Sequence, residues 1–272
     1  YALGVTNLVS SGSTCEWYHT FHNMGGHSTN IGVICNGQRQ VQEVFTPNLN
    51  LQGTLPSELH LLTKLAMLVI SDNRDVHGTI PDALHKLTEL KYFDLSSNNL
   101  TGEIPSWIVK LTALEFLALS DNDLTGPLPD SMASLSNLAL LALDGNGLTG
   151  NIHALENNTM LRFLYLEHNQ FEQTIRNTTL KDLTRLEHLD LSDNKFHGDS
   201  GIPRHFFEIP NLEVLDLTDN RIKGKLPEDI PTNKDMRSLF LHGNGLSGSI
   251  PLSIQNLSSL NHLDLAQNKF SG

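Results

Sequence analysis

Apolar residues recur along this chain at a fixed set of offsets that read LxxLxLxxN. Leu90, Phe93 and Leu95 precede Asn98; Leu114, Leu117 and Leu119 precede Asn122; Leu260, Leu263 and Leu265 precede Asn268. Nine asparagines close the pattern: Asn73, Asn98, Asn122, Asn146, Asn169, Asn194, Asn220, Asn244 and Asn268, spaced by 25, 24, 24, 23, 25, 26, 24 and 24 residues. A period of this length marks a stacked solenoid, whose units bury their apolar faces only against each other. Leu at alternate positions predicts a short strand with one buried face. Successive strands are predicted to pair in parallel, so that backbone groups find partners in the next unit. The asparagine ends the strand, and its amide offers two donors and an acceptor to nearby turns. An interior ladder of amides is costly unless every rung is hydrogen-bonded.

A second phrase follows each asparagine: NLTGEIP at 99–105, DLTGPLP at 123–129, RIKGKLP at 221–227 and GLSGSIP at 245–251. Gly opens backbone angles closed to other residues, and Pro fixes its own φ and removes a donor, so the phrase predicts a stiff outer arc. A helical turn such as SWIVKLTAL, residues 106–114, leads to the next strand. The first unit departs from the pattern, with Thr46 in place of a Leu and Leu49 in place of the Asn. The fifth phrase, 170–176, lacks Gly and Pro, and the sixth, 195–203, carries two extra residues around Asp199, which predicts an irregular outer surface there.

The joined phrase LxxLxLxxNxLxGxIPxxLxxLxx resembles the plant-type leucine-rich repeat of receptor-like kinases, receptor-like proteins and polygalacturonase inhibitors of plants, and of algal relatives. The resemblance covers residues 41–272, about ten repeats. It implies an α/β solenoid: a curved superhelix with a parallel β-sheet on its concave face and short helical or 3-10 turns on its convex arc. Residues 1–40 are similar to the N-terminal cap of that class, which reads CxWxGVxC. Here Cys15-Glu16-Trp17 and Gly32-Val33-Ile34-Cys35 are split by an insertion, residues 19–31, and residues 1–9 are similar to the cap's short helix. In that cap the two cysteines form a disulfide, so the resemblance implies a Cys15–Cys35 bridge and an oxidising compartment. The alternative is two free thiols in a cytosolic protein. Four N-x-S/T sequons, at Asn99, Asn157, Asn177 and Asn256, are glycosylation candidates and fit an extracellular or cell-surface location reached by the secretory pathway.

At 39% apolar residues and a mean hydropathy of -0.20, the chain suits one soluble array. It has no run of 18 apolar residues, so no membrane span is expected within this segment. The last residues, 270–272, fall inside a repeat, and the array is expected to continue into further repeats, a cap or an anchor. A net charge of -12 disfavours nucleic acid and anionic membrane surfaces.

The strand residues between the leucines point away from the core. One column reads Met67, Tyr92, Phe116, Leu140, Phe163, His188, Val214, Ser238 and His262. A second reads Phe45, Val69, Asp94, Ala118, Ala142, Tyr165, Asp190, Asp216, Phe240 and Asp264, and a third Ser71, Ser96, Ser120, Asp144, Glu167, Ser192, Thr218 and His242. The early repeats thus carry an apolar stripe, Met67-Tyr92-Phe116-Leu140-Phe163, flanked by Val69, Ala118, Ala142 and Tyr165. An apolar patch of roughly a few hundred Å² on a secreted protein marks an interaction surface, and aromatic groups anchor proteins and stack on sugar rings. The same position also packs on its neighbours. The later repeats are acidic: Asp190 and Asp216 are expected side by side, as are Asp193 and Asp219, where like charges disfavour joint ionisation or invite a cation. Solvated carboxylates are the plainer reading of that LDLS phrase.

Thirteen histidines include His19, His22 and His27 in the insertion, but no tight metal motif accompanies them, and His188, His242 and His262 lie by the acidic surface. No nucleophile-elbow, Walker, metalloprotease or dinucleotide phrase is present, so neither catalysis nor a cofactor nor a metal is expected. The residues and the resemblance together favour a non-catalytic extracellular module that binds a protein, peptide or glycan on the concave face, with self-assembly or a co-receptor as further partners. Met67, Tyr92, Phe116, Leu140, Phe163, Tyr165, Asp190 and Asp216 are the ligand-binding candidates. The rivals are a structural matrix, adhesion or assembly component and an inhibitor of a secreted wall-degrading enzyme.

Overall fold

A computed structural model describes residues 18–22 and 28–271. The chain divides into two compact units, Tyr1–Thr125 and Gly126–Gly272. In the first, Tyr18–His22 and Ser28–Cys35 form an antiparallel hairpin, so the insertion in the cap motif builds sheet. Ser28–Cys35 then pairs antiparallel with Val41–Phe45. From there the pairing is parallel, through Met67–Val69, Tyr92–Asp94 and Phe116–Ala118. The second unit repeats the arrangement with Leu140–Ala142, Phe163–Tyr165, His188–Asp190, Val214–Asp216, Ser238–Phe240 and His262–Asp264. These strands arise where the pattern places LxL. Leu65, Leu68 and Ile70, then Leu90, Phe93 and Leu95, then Leu114, Leu117 and Leu119 are completely buried. Each such side chain contributes about 1.5–3 kcal/mol relative to an exposed one.

The asparagine ladder is observed, and its bonding is directional. Asn98 Nδ2 donates to the carbonyls of Leu95 in its own repeat (2.7 Å) and Ile70 in the one before (2.6 Å), while its Oδ1 accepts the Asn73 amide at 3.1 Å. Asn122 repeats this with Leu95 and Leu119, and accepts from Leu100 N at 2.9 Å. Asn194 does so with Leu166, Leu191 and Phe171 N. Where Leu49 replaces the first asparagine, Asn73 Oδ1 accepts both Leu49 N and Leu51 N. Buried Thr46 replaces its missing Leu by donating its hydroxyl to the Val69 carbonyl at 3.1 Å.

The residue before each rung is left-handed. Asp72, Ser97, Asp121, His168, Asp193, Asp219 and Gln267 have φ of 48–57°, with Gly145 and Gly243 at 62° and 66°. Nothing in the repeat pattern predicts this.

The Gly-Pro phrase also holds more order than an arc. Gln52–Thr54, Asp75–Gly78, Asn99–Glu103 and Asp123–Pro127 form a second parallel sheet. In the second unit Gly147–Gly150 pairs with Gln170–Phe171, and His197–Gly198, Arg221–Gly224, Gly245–Gly248 and Lys269–Phe270 form a separate run. Between the two runs the described residues contain only a single bridge, Thr174 to His197. This break coincides with the fifth and sixth phrases and confirms the expected irregularity. The two extra residues are accommodated at Gly201 (φ 81°), where a Cβ would stand 1.8 Å from the Lys225 carbonyl oxygen.

Short 3-10 helices return the chain: Ser57–Leu61, Asp82–Lys86 and Ser106–Lys110 in the first unit, each entered from an extended Pro. Leu62, Leu87 and Leu111 follow them into the core. In the second unit the equivalent row reads Leu135, Asn158, Leu183, Ile209, Asn233 and Leu257, so two buried amides stand where leucine is the rule. Asn158 donates to the Met132 and Leu135 carbonyls at 3.0 and 3.1 Å, and Asn233 to that of Ile209 at 3.1 Å. Asn158 Oδ1 is itself buried without a partner, as is Gln173 Nε2.

Candidate recognition surface

In the first unit the strand register sets Met67, Tyr92 and Phe116 in one row, each half-buried. The Tyr92 and Phe116 rings stack with centroids 3.9 Å apart and planes 7° from parallel. Burial, and then the Asp94 carboxylate, push the Tyr92 hydroxyl's pKa up. Asp94 is held in turn by the Ser96 amide at 3.0 Å and hydroxyl at 2.6 Å. The flanking column does not extend this surface as expected. Val69 and Ala118 are buried, at 2% and 5% exposure, because Val69 sits between the longer Phe45 and Asp94, and Ala118 beside Asp94. Ser71 and Ser120 are buried as well. The apolar face here is therefore the Met67-Tyr92-Phe116 row.

In the second unit Leu140, Phe163, His188 and Val214 form the corresponding row, and Ala142, Tyr165, Asp190 and Asp216 the next. Every candidate in these rows, Leu140, Phe163, Tyr165, Asp190 and Asp216, is partly exposed. The Arg162 guanidinium lies 5.3 Å from the Phe163 ring centre and pairs with Glu187 at 2.7 Å. Tyr165 and His188 meet as tilted rings 4.7 Å apart. Asp190 and Asp216 are direct partners across the strands, as the register predicted. Burial raises the pKa of both carboxyls. Amides at Ser192 (2.9 Å) and Thr218 (2.8 Å), with the Ser192 hydroxyl at 2.7 Å, pull the other way.

The residue that sequence reasoning missed is Glu167, which stands in the third column without a role assigned to it. Burial first, then the charges of Asp190, Asp144 and Asp216, push its carboxyl up to about 8. Its Oε2 is buried with no hydrogen-bond partner. The signal was present in the sequence as Asp144 and Glu167 in one column beside Asp190 and Asp216 in the next. His188 is driven the other way, its protonation disfavoured by burial. The expected Asp193–Asp219 pair is modified by His168, whose Nδ1 lies 2.8 Å from Asp193.

Asn99, Asn157 and Asn177 are exposed; Asn256 is half-buried, with Nδ2 donating to the Ile230 carbonyl at 2.8 Å. Cys35 is not a free thiol, and Cys15 lies outside the described residues, as do His27 and residues 1–9. Among the described residues no helix is long and apolar enough to cross a membrane, and no group of three or more His, Cys, Asp or Glu could hold a metal ion.

Leucine rich repeat models match residues 63–124, 173–222 and 235–257, over the same strands and ladder. The chain belongs to the leucine-rich-repeat proteins. Its repeats are of the plant type and are similar to those of plant receptor-like proteins. Receptor-like protein 39 of Arabidopsis thaliana is 37% identical over 96 residues, which make up 35% of this chain and 11% of that relative. The ectodomain of the Arabidopsis receptor kinase HAESA, solved in complex with an N-terminally extended IDA peptide hormone, superposes with a TM-score of 0.79 at 32% identity. That match covers 85% of this chain and 38% of the ectodomain. A plant ice-binding protein superposes with a TM-score of 0.76 at 28% identity, covering 88% of this chain and 77% of that protein.

Proposed function

We propose that this leucine-rich-repeat chain is a non-catalytic, receptor-ectodomain-like module, extracellular or at the cell surface, that takes a peptide or protein segment along its strand face. The observation that carries this reading is the stacked Tyr92–Phe116 pair, half-exposed on a sheet whose every rung is pinned by ladder hydrogen bonds. Rigid aromatic side chains present a large contact area with little entropy left to lose, which is what a binding anchor requires. The peptide-bound HAESA ectodomain supports the ligand class. Leu140 and Phe163 supply further anchors, and Tyr165 continues into the adjacent row of Asp190 and Asp216, which select the ligand's charge. The Cys15–Cys35 bridge and glycans at exposed Asn99, Asn157 and Asn177 belong to this reading; glycosylation at Asn256 would compete with its bond to Ile230.

The test is selection of a displayed random-peptide library against the chain. Enriched peptides should share an apolar or aromatic residue, and Phe116→Ala combined with Phe163→Ala should weaken them at least about tenfold with little change in Tm. No enrichment, or binding untouched by the double substitution, would overturn the reading. The ice-binding neighbour favours a second reading as a binder of ice. Thermal hysteresis and faceted crystal growth would support it, and freezing indistinguishable from that with a control protein would remove it.

A further inference from the structure

We infer that the strand face of the second unit is a proton-operated switch whose titrating group is Glu167, a carboxyl with one oxygen buried and unpartnered among the carboxyls of neighbouring repeats. The inference concerns the face assigned to recognition but does not depend on a ligand.

The groups around Glu167 are set by the register. On its own strand segment stand Tyr165 and His168. The preceding repeat brings Asp144; the following one brings His188, Asp190 and Asp193; the next brings Asp216. The nearest basic side chains are already committed or buried. Arg162 pairs with Glu187 at the far end of the strand, His168 pairs with Asp193, and burial holds His188 toward its neutral form. Glu167 therefore faces three carboxyls with no dedicated counter-charge. Its Oε2 is buried without a partner, a costly place for a charged oxygen and a tolerable one for a protonated group. Asp190 and Asp216 each accept hydrogen bonds from both the amide and the side chain of Ser192 or Thr218, whereas Glu167 accepts one backbone hydrogen bond, from its own amide, to offset its burial. Asp190 and Asp216 are thus better equipped to carry charge than Glu167.

The direction of the effect on stability follows from linkage. Folding raises the Glu167 carboxyl from 4.5 to about 8. The folded chain holds this proton where the unfolded chain has lost it. The stabilisation is therefore fully present below the unfolded value and is lost as pH climbs through the folded one. At the same time the face gains one negative charge beside Phe163 and Tyr165, so any partner docking there meets a different surface on either side of neutrality.

The experiment follows the Glu167 side-chain carboxyl by ¹³C NMR from pH 4 to 9, in the parent and in Asp190→Asn, with Tm measured over the same range for the parent and Glu167→Gln. A midpoint well above 6 that falls in Asp190→Asn is expected. The parent Tm should fall by roughly 3 °C or more between pH 5.5 and 8.5, and Glu167→Gln should flatten that fall. A midpoint in the ordinary carboxylate range overturns the inference, as does a fall in Tm that survives Glu167→Gln. Neither outcome bears on peptide capture by Tyr92 and Phe116, which is measured separately.

Discussion

The two units are built on one repeat yet differ in what they do with it. In the first, prolines enter each turn, leucines follow it into the core, and the strand face stacks Tyr92 on Phe116. In the second, two of the core leucines are asparagines, the second sheet breaks near Thr174, and the strand face carries a carboxyl too buried to ionise easily. The buried face is shared and the outward face is not. Backbone order comes from the leucines and the ladder, which leaves the intervening residues free to vary: mainly apolar in the first unit, with apolar and acidic residues side by side in the second.

The comparison can be tested at the ladder, where the largest effect is expected. Asn98→Ala strands the amide of the preceding rung, Asn73, and the Ile70 carbonyl; Asn194→Ala strands the Phe171 amide, two residues past the preceding rung, and the Leu166 carbonyl. Each should cost about 3 kcal/mol in urea unfolding, at about 1–3 kcal/mol for each stranded group. Equal losses mean that the scaffold is common to both units; a much smaller loss in either breaks that claim. Asn158→Leu restores the first unit's pattern inside the second. It removes donors from Met132 and Leu135 but also an amide oxygen that had no partner, so the net cost should be only about 1 kcal/mol. A loss as large as that of Asn98→Ala would show that the buried amide is integral to the second unit. The smallest effect is expected at the exposed Lys91–Glu115 pair, 2.9 Å apart: Lys91→Ala should change stability by less than about 0.5 kcal/mol. A larger change would mean that surface charge matters to the first unit as much as to the second.

The solenoid was legible because buried positions recur: Leu90, Phe93, Leu95 and Asn98 identify a strand and its rung wherever they fall. The left-handed residue before each rung was not, because Asp, Ser, His, Gln and Gly all occupy it, and the constraint lies on the backbone, not the side chain. The second sheet was hidden inside a phrase whose Gly and Pro suggest turns. On the strand face, the rows of Tyr92 with Phe116 and Asp190 with Asp216 could be counted from the register alone. Exposure could not, since Val69 and Ala118 are submerged by the size of their neighbours, a property of pairs and not of positions. Glu167 escaped for a similar reason: its state is fixed by three acids from other repeats.

The ladder also has a polarity in time. Within each unit the asparagines hand amide and oxygen to the repeat before, as Asn122 does for the Leu95 carbonyl and for the Leu100 amide 22 residues upstream. A repeat leaving the ribosome therefore holds unsatisfied backbone groups until the following strand has been synthesised. In any stack of these repeats, the last one present is therefore the one whose rung-facing backbone groups stay open.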